Sequence, residues 1–232
     1  SDQAIARLQQ AAELPDALDD PIRRAETDGT LVICMAYAHR ADAIDVADAL
    51  AVELADEPAA IVGAWSNYAS GECRLDADPE LARQHLQRAM ALGRAGGSTF
   101  LEGIAGASLA SLDVRSNDHT AAIANYRGLL PLWIRAGLQS PFWTGMRAVV
   151  DLLTRCDETT AAIRLLGAVM APDSGHDVFG DDAVRLEALH DQLAERVEAT
   201  AFDREFAAGA GFDEAAAAQE ATAAFDRVTA AQ

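Results

Sequence analysis

Apolar residues along this chain recur at every third or fourth position, which is the spacing of one face of an α-helix. The stretch 41–55 carries a single apolar stripe formed by Ile44, Ala47, Leu50, Ala51 and Leu54. Strict alternation of apolar and polar residues is absent, and runs of valine, isoleucine and threonine are short. The pattern therefore predicts a nearly all-α chain without a β-sheet.

Start and stop signals divide this pattern into separate helices. Asp20-Pro21 and Asp78-Pro79 each open a helix, because aspartate caps the free amide groups and proline suits the first turn. Gly96-Gly97 ends a helix, and Pro131 is expected to kink one. One predicted helix runs from Pro21 to a break near His39, and the others span 3–14, 41–55, 58–73, 79–94, 98–114, 119–136, 141–155 and 159–171.

The apolar pattern also repeats itself about every forty residues, a period typical of stacked helical arrays. Ala82, Ala122 and Ala162 are each 40 positions apart (122 − 82 and 162 − 122). The same step separates the members of two further sets, which are Leu86, Tyr126 and Leu166, and Met90, Leu130 and Met170. An earlier copy begins at Ala43, 39 positions before Ala82 (82 − 43). Such arrays bind partners far more often than they catalyse reactions.

The repeat indicates how the chain is organised. The predicted helix pairs are 21–55, 58–94, 98–136 and 141–171, and we expect 3–14 to be the second helix of a pair whose first helix precedes residue 1. Helical stretches at 182–199, 200–208 and 213–229 do not keep the step, as is common for terminal units. We therefore expect a repeat region over 1–171, an acidic loop over 172–182, and a C-terminal helical cap over 183–232 of the same domain.

Composition narrows the classes of function. The formal net charge is −19, so the phosphates of a nucleic acid or an anionic membrane surface would be repelled. All 18 basic residues are arginine, which excludes the lysine of a P-loop and the lysine of a Schiff base. The absence of lysine, together with the high alanine content, suggests a GC-rich bacterial genome.

Cysteine usage and hydropathy predict a cytoplasmic protein. Cys34, Cys73 and Cys156 are widely spaced and form no CxxC motif, so we expect three free thiols in a reducing compartment. The sequence contains no pattern typical of a signal peptide and no apolar run of about 18 residues.

Particular segments resemble known helical regulators. The sequence AWSNYASGE over 64–72, followed by DPELA over 78–82, resembles a tetratricopeptide-like helix pair. Residues 143–153 and the sequence AAIRLLGA over 161–168 are similar to the C-terminal region of actinobacterial STAND-type ATPases related to the maltose-regulon activator. Those regulators also carry a LuxR-type or other winged DNA-binding domain, or a nucleotide-cyclase domain. The tail sequences AFDREF over 201–206 and GFDEA over 211–215 resemble the ending of that family.

The resemblance implies a right-handed superhelix of tetratricopeptide-like helix pairs with a divergent C-terminal cap. It further implies a non-enzymatic region that senses a ligand or partner and restrains a neighbouring ATPase domain of the same polypeptide. The implied ligand is a small molecule or a peptide. No catalytic residue is carried over, and the acidic loop departs from the family pattern. The alternatives are a free-standing scaffold that binds peptides and an all-α enzyme that uses the loop 172–182.

Four residues are candidates for lining a ligand groove. Trp65 and Tyr68 are one turn apart on one predicted first helix, and Trp143 and Arg147 are one turn apart on another. First helices of stacked pairs tend to line the concave face, where aromatic rings and a guanidinium would hold a planar or anionic group. The alternative is that these aromatic residues pack between repeats, as rows at helical spacing usually do.

The acidic loop is a weaker candidate for a metal site. Asp173, His176, Asp177, Asp181 and Asp182 are suitable ligand types, but their spacing matches neither an EF-hand nor a zinc site. His39, His85, His119 and His190 lie on different elements, and no catalytic triad motif is present. We therefore predict no cofactor, no tightly bound metal and no catalysis.

We expect the purified chain not to bind duplex DNA, because every phosphate contact would begin from the repulsion of a net charge of −19. A gel-shift titration checks this expectation. A salt-sensitive shift at sub-micromolar protein would contradict it.

Overall fold

A computed structural model describes residues 2–12, 20–171 and 181–231 of the chain. These residues form twelve helices and no strand, so the prediction of an all-α chain is confirmed for them. The helices are α1 (Asp2–Ala12), α2 (Pro21–Tyr37), α3 (Ala43–Glu53), α4 (Ala60–Glu72), α5 (Pro79–Ala95), α6 (Thr99–Arg115), α7 (His119–Ala136), α8 (Gln139–Arg155), α9 (Thr159–Met170), α10 (Asp181–Ala194), α11 (Ala199–Gly209) and α12 (Glu214–Ala230). Among them, none combines the length and the apolar character that a membrane crossing requires.

Aspartate residues start several helices as the sequence predicts. The carboxylate of Asp20 accepts hydrogen bonds from the backbone N–H groups of Ile22 and Arg23 at the start of α2. Equivalent bonds run to Asp78 at α5, to Asp118 at α7 and to Asp213 at α12. Each cap satisfies an amide that would otherwise lack a partner and stabilises its helix by about 1 kcal/mol.

Most predicted helix boundaries differ from the observed ones by one or two residues, and two of the differences are instructive. Helix α8 begins at Gln139 rather than at 141, because Pro141 is accommodated within its first turn. The stretch predicted as one helix over 182–199 ends at Ala194, and the next helix begins at Ala199. The predicted loop lies mainly outside the described residues, and the division into repeat region and cap stays a prediction.

The chain divides into two compact units, residues 1–112 and 113–232, with the division inside α6. In the first unit α2 packs against α1, α3 and α4, while α3 packs on α4 and α4 on α5. Apolar side chains from α2 to α6 form one core, represented by Val32, Leu50, Trp65, Leu86 and Leu101. Ile5 of α1 belongs to a smaller cluster with Met35 and Ala43.

In the second unit α9 is the central helix, and α8, α10, α11 and α12 all pack against it. Helix α12 also contacts α7 and α8. The largest buried side chains are aromatic: Tyr126 stacks on Phe225 with ring centres 6.5 Å apart, and Trp133 meets Phe142 edge-on at 6.4 Å. These pairs join α7 to α12 and to α8.

Helices α9 and α11 cross with their backbones in contact. A Cβ atom added to Gly167 would overlap the carbonyl oxygen of Phe206, and one added to Gly209 would overlap the carbonyl oxygen of Arg164. Beside the crossing, the Arg164 guanidinium donates to the carboxylate of Glu205 at 2.7 Å. The approach requires glycine on both helices, since any side chain would push the backbones apart.

We expect Gly209→Ala to lower the free energy of unfolding by about 3 kcal/mol, because the new methyl group meets rigid backbone. The matched control is Gly128→Ala on α7, where nothing lies within 4 Å of the added Cβ. That change should stabilise the protein by up to about 1 kcal/mol, since alanine is the better helix former. Urea unfolding of the two variants measures the difference in the free energy of unfolding. Equal changes in both variants would contradict the close backbone contact between α9 and α11.

Candidate ligand and partner site

The first half of the predicted groove is packed into the core of unit 1. Trp65 and Tyr68 on α4 are only 7% and 8% exposed. The Trp65 ring lies 6.3 Å from Tyr68, edge-on, and 6.1 Å from Phe100 of α6. The two rings thus pack as the alternative hypothesis expects. That a ligand groove passes along them stays a prediction.

A partly buried polar cluster adjoins these rings. The carboxylate of Glu72, one turn after Tyr68, accepts a hydrogen bond from the Tyr37 hydroxyl at 2.6 Å and is itself buried. Burial raises the pKa of Tyr68 well above its usual value, and the nearby Glu72 carboxylate raises it further, against the hydrogen bonds to Ser108 and Tyr37. Tyr68 therefore stays a neutral phenol at physiological pH. Tyr37 and Glu72 are 35 positions apart, so periodicity within one helix could not reveal the pair.

The second half of the predicted groove lies on α8 in unit 2. Trp143 is 5% exposed and meets Phe142 edge-on, with ring centres 5.1 Å apart. One turn later, the side chain of Arg147 is 11% exposed and its Nη1 donates to Oδ2 of Asp182 at 3.1 Å. On the other side of that carboxylate, Nη2 of Arg185 donates to Oδ1 at 2.7 Å. Asp182 thus lies between two guanidinium groups.

This arrangement revises the role of one residue in the predicted acidic loop. The sequence places Asp182 among candidate metal ligands, whereas the structure pairs its carboxylate with two arginines. Asp173, His176 and Asp177, and the side chain of Asp181, lie outside the described residues. Elsewhere in the described residues, no three histidine, cysteine, aspartate or glutamate side chains gather as a metal site would require.

Two of the histidines, His85 and His190, contact side chains of a neighbouring helix. Nδ1 of His85 lies 3.1 Å from Oδ1 of Asn67, and the pKa of His85 is lowered by burial and by the charge of Arg74. His190 packs edge-on against Phe202, with ring centres 4.9 Å apart. These contacts hold helices together, and Nδ1 of His190 also lies 3.3 Å from Oδ1 of Asp191.

Two surface depressions in unit 2 are lined by none of the four candidate residues. One of about 490 Å³ lies between α7 and α12 and is crossed by the ion pair of Arg127 and Asp226. Another of about 150 Å³ lies at the turn after α7, beside Ile134 and Gly137. Trp65 and Tyr68 belong to one unit and Trp143 and Arg147 to the other, so a shared concave face stays a prediction.

No protein-family model, no characterised protein and no solved structure matches this chain. The site must therefore be interpreted from its own side chains. The carboxylate of Asp182 lies between Arg147 and Arg185, and that of Glu205 lies in the same way between Arg164 and Arg204.

We expect Trp65→Ala to lower the free energy of unfolding by about 3–5 kcal/mol, since truncating a buried aromatic leaves a cavity. The control is Val52→Ala on α3, which is 78% exposed and should change stability by less than about 0.5 kcal/mol. Thermal melts of both variants measure the effect. An unchanged melting temperature for Trp65→Ala would instead indicate a ring that lines a surface groove.

Proposed function

We propose that this chain is the sensor and protein-interaction region of a bacterial signal-transducing ATPase or transcriptional regulator in the cytoplasm. It has no catalytic role of its own. Its architecture is a right-handed superhelix of tetratricopeptide-like helix pairs with a repeat of about forty residues. Its partner is the ATPase domain of the same polypeptide, and its signal is a small molecule or a peptide.

The observation that carries the proposal is that the sequence repeat falls at equivalent places in the helices. Ala82, Ala122 and Ala162 are each the fourth residue of their helix, in α5, α7 and α9, and each is fully buried. The eighth residue of each of these helices, also fully buried, is in turn Leu86, Tyr126 and Leu166. Recurrence of the same burial at the same helical position supports a stacked array.

The order in which the helices of unit 1 pack also supports a stacked array. Helix α2 contacts both α3, its neighbour in the chain, and α4, the first helix of the next predicted pair. Helix α3 also packs on α4. In a repeat array each unit covers the apolar face of its neighbour in this way, which leaves an extended surface for partners. The resemblance of 143–153, 161–168, 201–206 and 211–215 to STAND-type regulators supports an ATPase as that partner.

The proposal is tested first on the gene. Sequencing on both sides of the segment that encodes these 232 residues should reveal an ATPase domain in the same reading frame, together with an output domain. A reading frame without an ATPase would favour the free-standing peptide scaffold. A stoichiometric metal that survives dialysis would favour the enzyme.

We expect Arg147→Gln to change ATP hydrolysis by the intact protein about fivefold or more, because the change alters the candidate sensor site rather than the ATPase. Arg155→Gln is the matched control on α8, since Arg155 contacts Asp151 of its own helix and Asn117 rather than the candidate residues. Steady-state hydrolysis by both variants gives the comparison. Equal rates in wild type and Arg147→Gln would contradict coupling through this site.

A further inference from the structure

We infer that the cavity of about 150 Å³ at the turn between α7 and α8 binds a small neutral ring that carries a hydrogen-bond acceptor, and that the indole Nε1–H group of Trp133 donates to this acceptor. None of the four candidate groove residues lines this cavity. The inference therefore goes beyond the proposed function and does not depend on it.

The first observation is a buried donor that lacks an acceptor. Trp133 is fully buried, and its Nε1 has no hydrogen-bond partner among the described residues. The indole Nε1–H group can only donate, and a buried donor without a partner is costly to the folded protein. An acceptor that is brought to this group would remove the cost, and the energy recovered would contribute to its affinity.

The packing of the ring shows which of its edges is free of α8. A Cβ atom added to Gly145 would come within 2.6 Å of Cη2 and 2.7 Å of Cζ3 of Trp133, so the benzo edge of the ring lies against α8. The pyrrole edge, which carries Nε1, is opposite to these two atoms and is therefore turned away from Gly145. Because Trp133 also lines the cavity, a molecule held there is placed to supply the missing acceptor.

The cavity has the size and the walls of a site for a single ring. An apolar cavity of about 150 Å³ is large enough to hold benzene. The side chains of Trp133, Ile134, Leu138 and Phe142 supply aromatic and aliphatic walls, as is usual for small-molecule sites. Ile134 is 41% exposed, so the cavity opens to solvent beside it.

The polar groups of the cavity favour a neutral ligand. Nε2 of Gln139 donates to Oε1 of Glu214 at 2.9 Å, which joins the first residues of α8 and α12 beside the cavity. The carboxylate of Glu214 and the net charge of −19 disfavour an anion. A protonated ring nitrogen has no lone pair with which to accept from Nε1. A neutral acceptor such as pyridine meets both conditions.

Pyridine and benzene test the inference, since they match in size and only pyridine accepts a hydrogen bond. The 232-residue chain is titrated with each, at a pH where pyridine is neutral, and the signals of its three indole N–H groups are followed by NMR. The signal that is missing from Trp133→Phe belongs to Trp133. We expect pyridine to move this signal downfield and benzene not to, because only pyridine forms the hydrogen bond.

Two variants separate the hydrogen bond from the cavity. Trp133→Phe removes the donor, so it should weaken pyridine binding at least about fivefold more than it weakens benzene binding. Ile134→Phe fills the opening and should abolish the binding of both. The matched control is Val52→Phe, which places the same side chain at a 78% exposed position of unit 1 and should bind as wild type does.

Several outcomes would overturn the inference. Equal weakening of pyridine and benzene in Trp133→Phe would exclude the indole as the donor. A Trp133 signal that pyridine does not move, or pyridine affinity that Ile134→Phe leaves unchanged, would exclude the cavity as the site.

The test stays decisive if Trp133→Phe fails to fold by circular dichroism. The Trp133 signal is then the one that Trp65→Phe and Trp143→Phe both retain, and its response to pyridine in wild type and in Ile134→Phe decides. Because the titration involves no ATPase, its failure would leave the gene test of the proposed function intact.

Discussion

The fold depends on close approach of helix backbones at positions that carry glycine or alanine. Gly71 of α4 faces α5, where an added Cβ would come within 2.8 Å of Leu86, and Gly145 of α8 faces the ring of Trp133. The tightest contact is the crossing of α9 and α11 at Gly167 and Gly209. Small residues at these points let neighbouring helices bury their larger apolar side chains on either side, which provides most of the stabilising burial.

Buried charge is the second constraint, and it marks the regions with potential for function. Glu72 in unit 1 and Arg147 in unit 2 are both enclosed by packed helices and are met by polar side chains from another helix. Because an enclosed charge is costly without a partner, each such group ties two elements of its unit together. The contact of Arg147 with Asp182 differs from the other in that its acidic member remains partly open to solvent.

Local signals predicted individual helices well where a cap and an apolar stripe coincide. The helix predicted over 119–136 has the same bounds as α7, since Asp118 caps its start and Gly137 adopts a left-handed conformation at its end. The prediction over 182–199 was less accurate, because a chain of helix-forming residues without glycine or proline continues through the turn at 195–198. The candidate site was predicted only as a list of residues that share a helix face.

The sequence by itself determined the all-α class, the helix starts to within two residues and the recurrence of Ala82, Ala122 and Ala162, because capping and helical periodicity act between residues close in the chain. Tertiary structure alone decided which aromatic faces are buried and which charges meet. Asp182 and Arg147 are separated by 35 positions, as are Tyr37 and Glu72. Such pairs form only when the packing of helices brings two distant faces together, and no local pattern encodes that geometry.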